Sequence, residues 1–239
     1  MSSADVGGHT HAVRRVVSLV PSATETLIAW GVTPIAVSRF CERPELPQVG
    51  GTKNPDVEAI AALRPDLVVL CDQENRVEDH DALVAARVSV FVFSITALAQ
   101  VAPELIRLRV VLGLPPEPQT VAPPDLDSTR VTAWVPIWRR PWMTINGDTY
   151  ASTLLNACGI DNVCAHMETR YPEIELDTVR ALRPDVVLAP SEPYHFTERY
   201  EAELSAVAPV LYVDGKDLFW WGVRTPGAIE RLGVQVRSS

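Results

Sequence analysis

Ala62-Leu63-Arg64-Pro65-Asp66-Leu67-Val68-Val69-Leu70 returns almost unchanged as Ala181-Leu182-Arg183-Pro184-Asp185-Val186-Val187-Leu188-Ala189, 119 residues further along a chain of 239. In each copy a helical stretch (55–63 and 176–182) runs into Arg-Pro, and the proline ring disfavours helical backbone at the residue before it. The Val-rich run that follows is short and uninterrupted, which fits a parallel strand buried on both faces. The pair reads as one helix-to-strand joint made twice.

The flanks repeat as well. Residues 15–21 (RVVSLVP) match 130–136 (RVTAWVP), both strands ending at proline. Ser22 and Glu25 have the S-x-x-E spacing of a capping box, opening a helix that Gly31 closes; Asp148 and Gly159 bracket its counterpart. A further strand is expected over 88–94 and again over 209–214. Strands alternating with helices, in two copies, predict an α/β fold of two Rossmann-like lobes with mainly parallel sheets and a cleft between them. The lobes are expected at 14–113 and 130–239. Between them, 114–129 holds five prolines (Pro115, Pro116, Pro118, Pro123, Pro124), so an extended connector is expected after a helix over 98–112, and no single long helix.

A hydrophobic share of 47% with 21% charged residues is near the globular average, and no apolar run approaches the ~20 residues that span a bilayer. A soluble protein is expected. The net charge of −9 argues against nucleic acid as a partner, because phosphate binding needs clustered Lys and Arg. Residues 1–15 show no apolar stretch after a basic start, so a cytoplasmic location is expected, or an extracytoplasmic one if this N-terminus is not the native one. Cys41, Cys71, Cys158 and Cys164 are too few and scattered for a disulfide framework and read as buried free thiols.

Ligands in parallel α/β folds bind beyond the carboxyl ends of the strands. The segments there are 21–24, 72–76, 137–142, 191–196 and 214–222. They hold Trp138, Trp142, Trp220 and Trp221 beside arginines, an arrangement that a flat or bulky ligand would cover; the alternative is that these rings pack the lobe cores. The candidate ligand-binding residues are Glu74, Arg76, Trp138, Arg139, Trp142, Tyr194, Trp221 and Arg224, with the arginines placed to meet peripheral carboxylates, amides or phosphate. Gly50-Gly51-Thr52-Lys53 lacks phosphate-loop spacing and reads as a turn before a helix. Neither His166 near Cys164 nor the isolated His195 has strong metal-ligand spacing. No nucleophile motif or carboxylate pair at a shared turn is present.

Four stretches, RVVSLVPSATETLIAWG (15–31), VGGTKNPDVEAIAALRPDLVV (49–69), RPWMTINGDTYASTLLNACGIDNV (140–163) and VDGKDLFWWGVRTPGAIERLG (213–233), make the chain resemble the cobalamin and iron-chelate substrate-binding proteins of ABC importers. The resemblance implies a non-catalytic binder of a cobalamin-like corrinoid or related metal chelate, held by surface complementarity without an intrinsic cofactor. It implies an importer permease as partner for members that serve transport. Two departures stand out: the family joins its lobes by a long helix, and the prolines of 114–129 leave little room for one; transport members are exported, and this N-terminus offers no signal. Competing readings are a direct metal-ion receptor using Cys41, His195 or Glu192, and an enzyme using Glu74, Glu192 or Asp214.

Overall fold

The computed structural model describes residues 13–117 and 130–238. The first half forms β1 (Val16–Ser18), α1 (Pro21–Ala29), β2 (Ala36–Val37), the small hairpin β3 (Gly50–Gly51) and β4 (Asn54–Pro55), α2 (Val57–Ala62), β5 (Leu67–Cys71), α3 (Val77–Ala85), β6 (Val90–Phe93) and α4 (Leu98–Val111). The second forms β7 (Val131–Trp134), α5 (Tyr150–Ala157), β8 (Ile160–Asn162), α6 (Leu176–Leu182), β9 (Val186–Pro190), a 3-10 turn and α7 (Glu201–Leu204), β10 (Val210–Val213), α8 (Gly215–Phe219) and α9 (Thr225–Arg237). The sheets are β2-β1-β5-β6 and β8-β7-β9-β10, every pairing parallel. The strand order is the same in each half, so the repeat in sequence is a repeat in topology.

The repeated joint has a local cause. Arg64 and Arg183, each before proline, take left-handed backbone (φ 48° and 52°), which ends the helix and turns the chain toward the sheet. The aspartate that follows then fastens the new strand to the one that opens the lobe. Asp66 Oδ2 accepts from the Arg14 and Arg15 amides at 2.8 Å, and Asp185 Oδ2 accepts from the Thr132 amide at 2.7 Å.

Each sheet is buried on both faces, which is why its strands read as unbroken apolar runs. Val17, Leu19, Val68 and Leu70 face an outer layer that includes Ile60 and Leu83. Their neighbours Val16, Leu67, Val69, Phe91 and Phe93 face the other way, into a cluster that continues without a break into the second lobe through Ala133, Val135, Leu154, Leu188, Trp221 and Ile229. The lobes therefore share a core. Phe93 and Trp221 meet across it with ring centroids 4.4 Å apart.

The joint is also polar. Arg224, in the turn before α9, donates from Nε and Nη2 to Glu25 of α1 at 3.0 Å each and from Nη1 to Asp217 at 2.7 Å. The Val223 amide donates to Thr26 Oγ1 at 3.3 Å. Gly222 has φ 116°, and a Cβ on it would sit on Thr26 Oγ1, so only glycine lets the two backbones approach here.

Some expectations are corrected. Helix α1 begins at Pro21, with Val20 as N-cap and no side-chain cap; proline's fixed φ suits the first helical position, which leaves Ser22 inside the helix instead of capping it. Gly31 does close α1, at φ 78°. The counterpart α5 is capped by Thr149, whose hydroxyl accepts from the Ser152 amide, one residue later than Asp148. Helix α4 ends at Val111, and residues 114–117 are not helical; the rest of the expected connector, 118–129, lies outside the described residues. All four cysteines are free and buried.

Candidate functional site

A cavity of about 670 Å³ lies between the lobes at the carboxyl ends of the strands. From the first lobe, Pro21 and Ser22 follow β1, Arg39, Phe40 and Glu42 follow β2, and Gln73 and Glu74 follow β5. From the second lobe come Thr149 and Tyr150 at the start of α5, Arg170 and Tyr171, Glu192 after β9, and Phe219 through Trp221 at the end of α8. Two aromatic rings stand open at the wall, Phe40 at 52% and Tyr171 at 49% exposure. Trp220 is half-buried, and its indole N–H donates to Glu192 Oε1 at 2.6 Å, which fixes the ring against the cleft.

Two polar contacts cross the opening. Lys216 Nζ of α8 donates to Glu42 Oε2 at 2.5 Å, and Arg170 Nη1 donates to Gln73 Oε1 at 3.1 Å while its Nε bonds Asp148 at 2.8 Å. Of the six charged side chains on the wall, four are acidic (Glu42, Glu74, Asp148, Glu192) and two are basic (Arg39, Arg170). Burial, with Glu192 nearby, pushes Glu74 up to about 7, because removing water disfavours the charged carboxylate. Burial also raises Glu192, against the pull of the Trp220 hydrogen bond and Lys216.

Of the eight residues singled out in the sequence, the structure brings two to this cavity: Glu74 and Trp221. Trp221 is only 4% exposed and packs on Phe93, so it forms wall and core at once. The others lie elsewhere. Arg76 turns out to solvent at the start of α3, paired with Asp79 at 2.9 Å. Trp138, Trp142 and Tyr194 form an aromatic group on the second lobe: Trp138 meets Tyr194 edge-on with centroids 5.3 Å apart, and Trp142 stacks on Phe196 at 6.0 Å. Arg139 packs over Tyr200 and Trp142 and donates to Glu203. Arg224 is spent on the joint between the lobes. The expectation that all eight candidates line one ligand site is therefore corrected. The loops after β5, β7 and β9 do reach the cavity, but of residues 137–142 after β7 only Ile137 lines it, while Trp138, Arg139 and Trp142 turn back onto their own lobe.

Phe40, Tyr171 and Arg39 were missed. Phe40 and Arg39 follow β2, a strand of two residues that leaves no periodicity to read. Tyr171 sits in a loop that follows no long strand. The alternative metal ligands do not converge either: Cys41 is buried among Ser38 and Thr24 at 3.2 Å, and His195 is exposed with Nδ1 on the Ser191 carbonyl. Among the described residues no three His, Cys, Asp or Glu side chains are grouped to hold a metal ion, and no helix is long and apolar enough to cross a membrane.

Residues 16–102 match the family model described as periplasmic binding protein. The vitamin B12-binding protein of Salmonella paratyphi A is 25% identical over 193 residues, covering 74% of this chain and 73% of that protein. Its counterpart in Vibrio parahaemolyticus is 27% identical over 192 residues, covering 73% and 70%. Among solved structures, the periplasmic vitamin B12 binding protein of Vibrio cholerae superposes with a TM-score of 0.76 at 21% identity, over 95% of this chain and 98% of that one. The periplasmic haem-binding protein RhuT of Roseiflexus superposes with a TM-score of 0.78 at 20% identity, over 95% and 98%. These matches overturn the expected cytoplasmic location, since the family model and both solved structures are named periplasmic; the lack of an apolar segment within residues 1–15 does not fix a compartment. The chain thus has the fold of the two-lobed periplasmic binding proteins, with that family's sequence pattern in residues 16–102.

Proposed function

We propose that this chain is a non-catalytic receptor for a bulky, flat metal chelate of the corrinoid or haem kind, held between its lobes and passed to an ABC importer permease. The observation that carries this reading is a single cleft walled by aromatic rings from both lobes, Phe40 on one side and Tyr171, Phe219 and Trp220 on the other. Such rings cover a planar ligand through large apolar area at small entropic cost. The sequence relatives are named for vitamin B12 binding, which favours a corrinoid, and four structural relatives are named for haem. The ligand-contacting residues in this reading are Glu74, Trp221, Phe40, Tyr171 and Trp220, with the lobes divided at 114–129.

Calorimetric titration of the purified protein with cyanocobalamin, haemin and ferric siderophores, alongside elemental analysis, tests the proposal. Tight one-to-one binding of one chelate, without intrinsic metal in the protein, is the expected outcome. Failure of all of them at micromolar concentration, or stoichiometric zinc or manganese in the protein as purified, removes the chelate reading.

A further inference from the structure

The duplication brings two equivalent helices to the cavity by the same ends. Helix α1 follows the opening strand of the first lobe and α5 the opening strand of the second, and the first turn of each lines the wall, through Pro21 and Ser22 and through Tyr150 and Ala151. The first amides of a helix have no partner within it and carry its positive end. Here the amides of Ser22, Ala23, Tyr150 and Ala151 have no acceptor among the described residues. No acidic residue stands in the first turn of either helix.

A second observation stands apart from the helix ends. The Ser22 hydroxyl is buried, its residue 2% exposed, and it has no hydrogen-bond partner. Among the described residues only the Trp134 indole N–H shares this state; Thr24 and Thr26 on the same helix bond backward to Val20 and Ser22 carbonyls. A buried hydroxyl left unbonded weakens the free protein. Its place in the cavity lining supplies a reason for it to be there.

We propose that the paired N-termini of α1 and α5, with the Ser22 hydroxyl, form a subsite for a neutral carbonyl oxygen of the ligand, a peripheral carboxamide. The subsite offers donors from both lobes to the same cavity. The wall argues for neutrality: Arg170 is already engaged by Asp148 and Gln73 and Lys216 by Glu42, which leaves Arg39 facing Glu74 and Glu192, so a full negative charge would find no surplus of positive charge to offset its desolvation. This inference rests on the chelate reading and narrows it to ligands with amide side chains in preference to free acids.

The test uses the full chain, labelled with ¹⁵N, and the variant Ser22→Ala. N-methylacetamide and acetate serve as small probes; cyanocobalamin, and the same corrinoid with a peripheral amide hydrolysed to the acid, serve as large ones. N-methylacetamide should shift the amide signals of Ser22, Ala23, Tyr150 and Ala151 more than acetate does. Ser22→Ala should bind cyanocobalamin about three- to tenfold more weakly, the worth of one hydrogen bond, while melting at the same temperature as the parent or higher. The hydrolysed corrinoid should bind more weakly than the parent compound. If no chelate binds but the four amides respond to N-methylacetamide, the subsite stands and the chelate reading falls. If cyanocobalamin binds and neither the substitution nor the small probe has any effect, the chelate reading stands and the subsite falls. A lower melting temperature for Ser22→Ala with unchanged affinity makes the hydroxyl structural and overturns the proposal, as does a larger response to acetate.

Discussion

Trp220 and Trp221 are neighbours in sequence with opposite tasks, because extended backbone at Trp220 sends the two side chains to different sides. Trp221→Ala should lower stability by about 3–5 kcal/mol, the usual cost of emptying a buried aromatic site, read by chemical denaturation. Trp220→Ala should leave stability nearly unchanged and weaken chelate binding by about 1–3 kcal/mol, as loss of a central aromatic contact does; equal effects of both on stability alone would make Trp220 a packing residue. Glu74 carries a pH signature. Its folded-state value of about 7 lies above the ordinary 4.5, so the folded protein holds a proton that the unfolded chain releases. Stability from this group is present below pH 4.5 and is lost as pH rises toward 7. Glu74→Gln should match the parent in acid and melt higher near pH 8, and a gap that stays constant across this range would show that Glu74 is not the source. At this scale the sequence was only partly legible. Which loops meet at the cleft follows from strand order, but which side chains turn inward depends on local pairing, as Arg139 with Glu203 and Arg76 with Asp79 demonstrate.

The joint at residues 222–226 belongs to the scale of elements, where a turn in one lobe is fitted against a helix of the other. Gly222→Ala combines left-handed backbone with a collision at Thr26 Oγ1, so it should destabilise by about 1–3 kcal/mol, the cost of a strained backbone position; urea unfolding measures it, and a loss under about 0.5 kcal/mol would mean the turn yields freely. Elements set by near-neighbour sterics were read well in advance: Arg-Pro ends α2 and α6, and Gly31 and Gly159 end α1 and α5. Short elements held by distant contacts were not. Strand β2 has two residues and exists because β1 offers it an edge. The α1 cap was misplaced because a proline that looks like the end of a strand is also the best first residue of a helix.

For the whole molecule, the feature that matters most is the core that runs from one sheet to the other. Unfolding either lobe alone would expose Trp221, Phe93 and their neighbours, so heat or urea should produce one transition, coincident by tryptophan fluorescence and far-ultraviolet circular dichroism. Two separated transitions would mean that the lobes fold independently. The shared packing and the Arg224 pairs join the lobes away from the proline-rich connector. That joint has a kinetic consequence. With the two walls held at a fixed spacing before any ligand arrives, no fraction of encounters waits for a rare receptive conformer, and affinity is not discounted by its scarcity. Capture in a stopped-flow instrument should accelerate in direct proportion to chelate concentration, without levelling off, and selectivity among chelates should reside in how slowly each one departs.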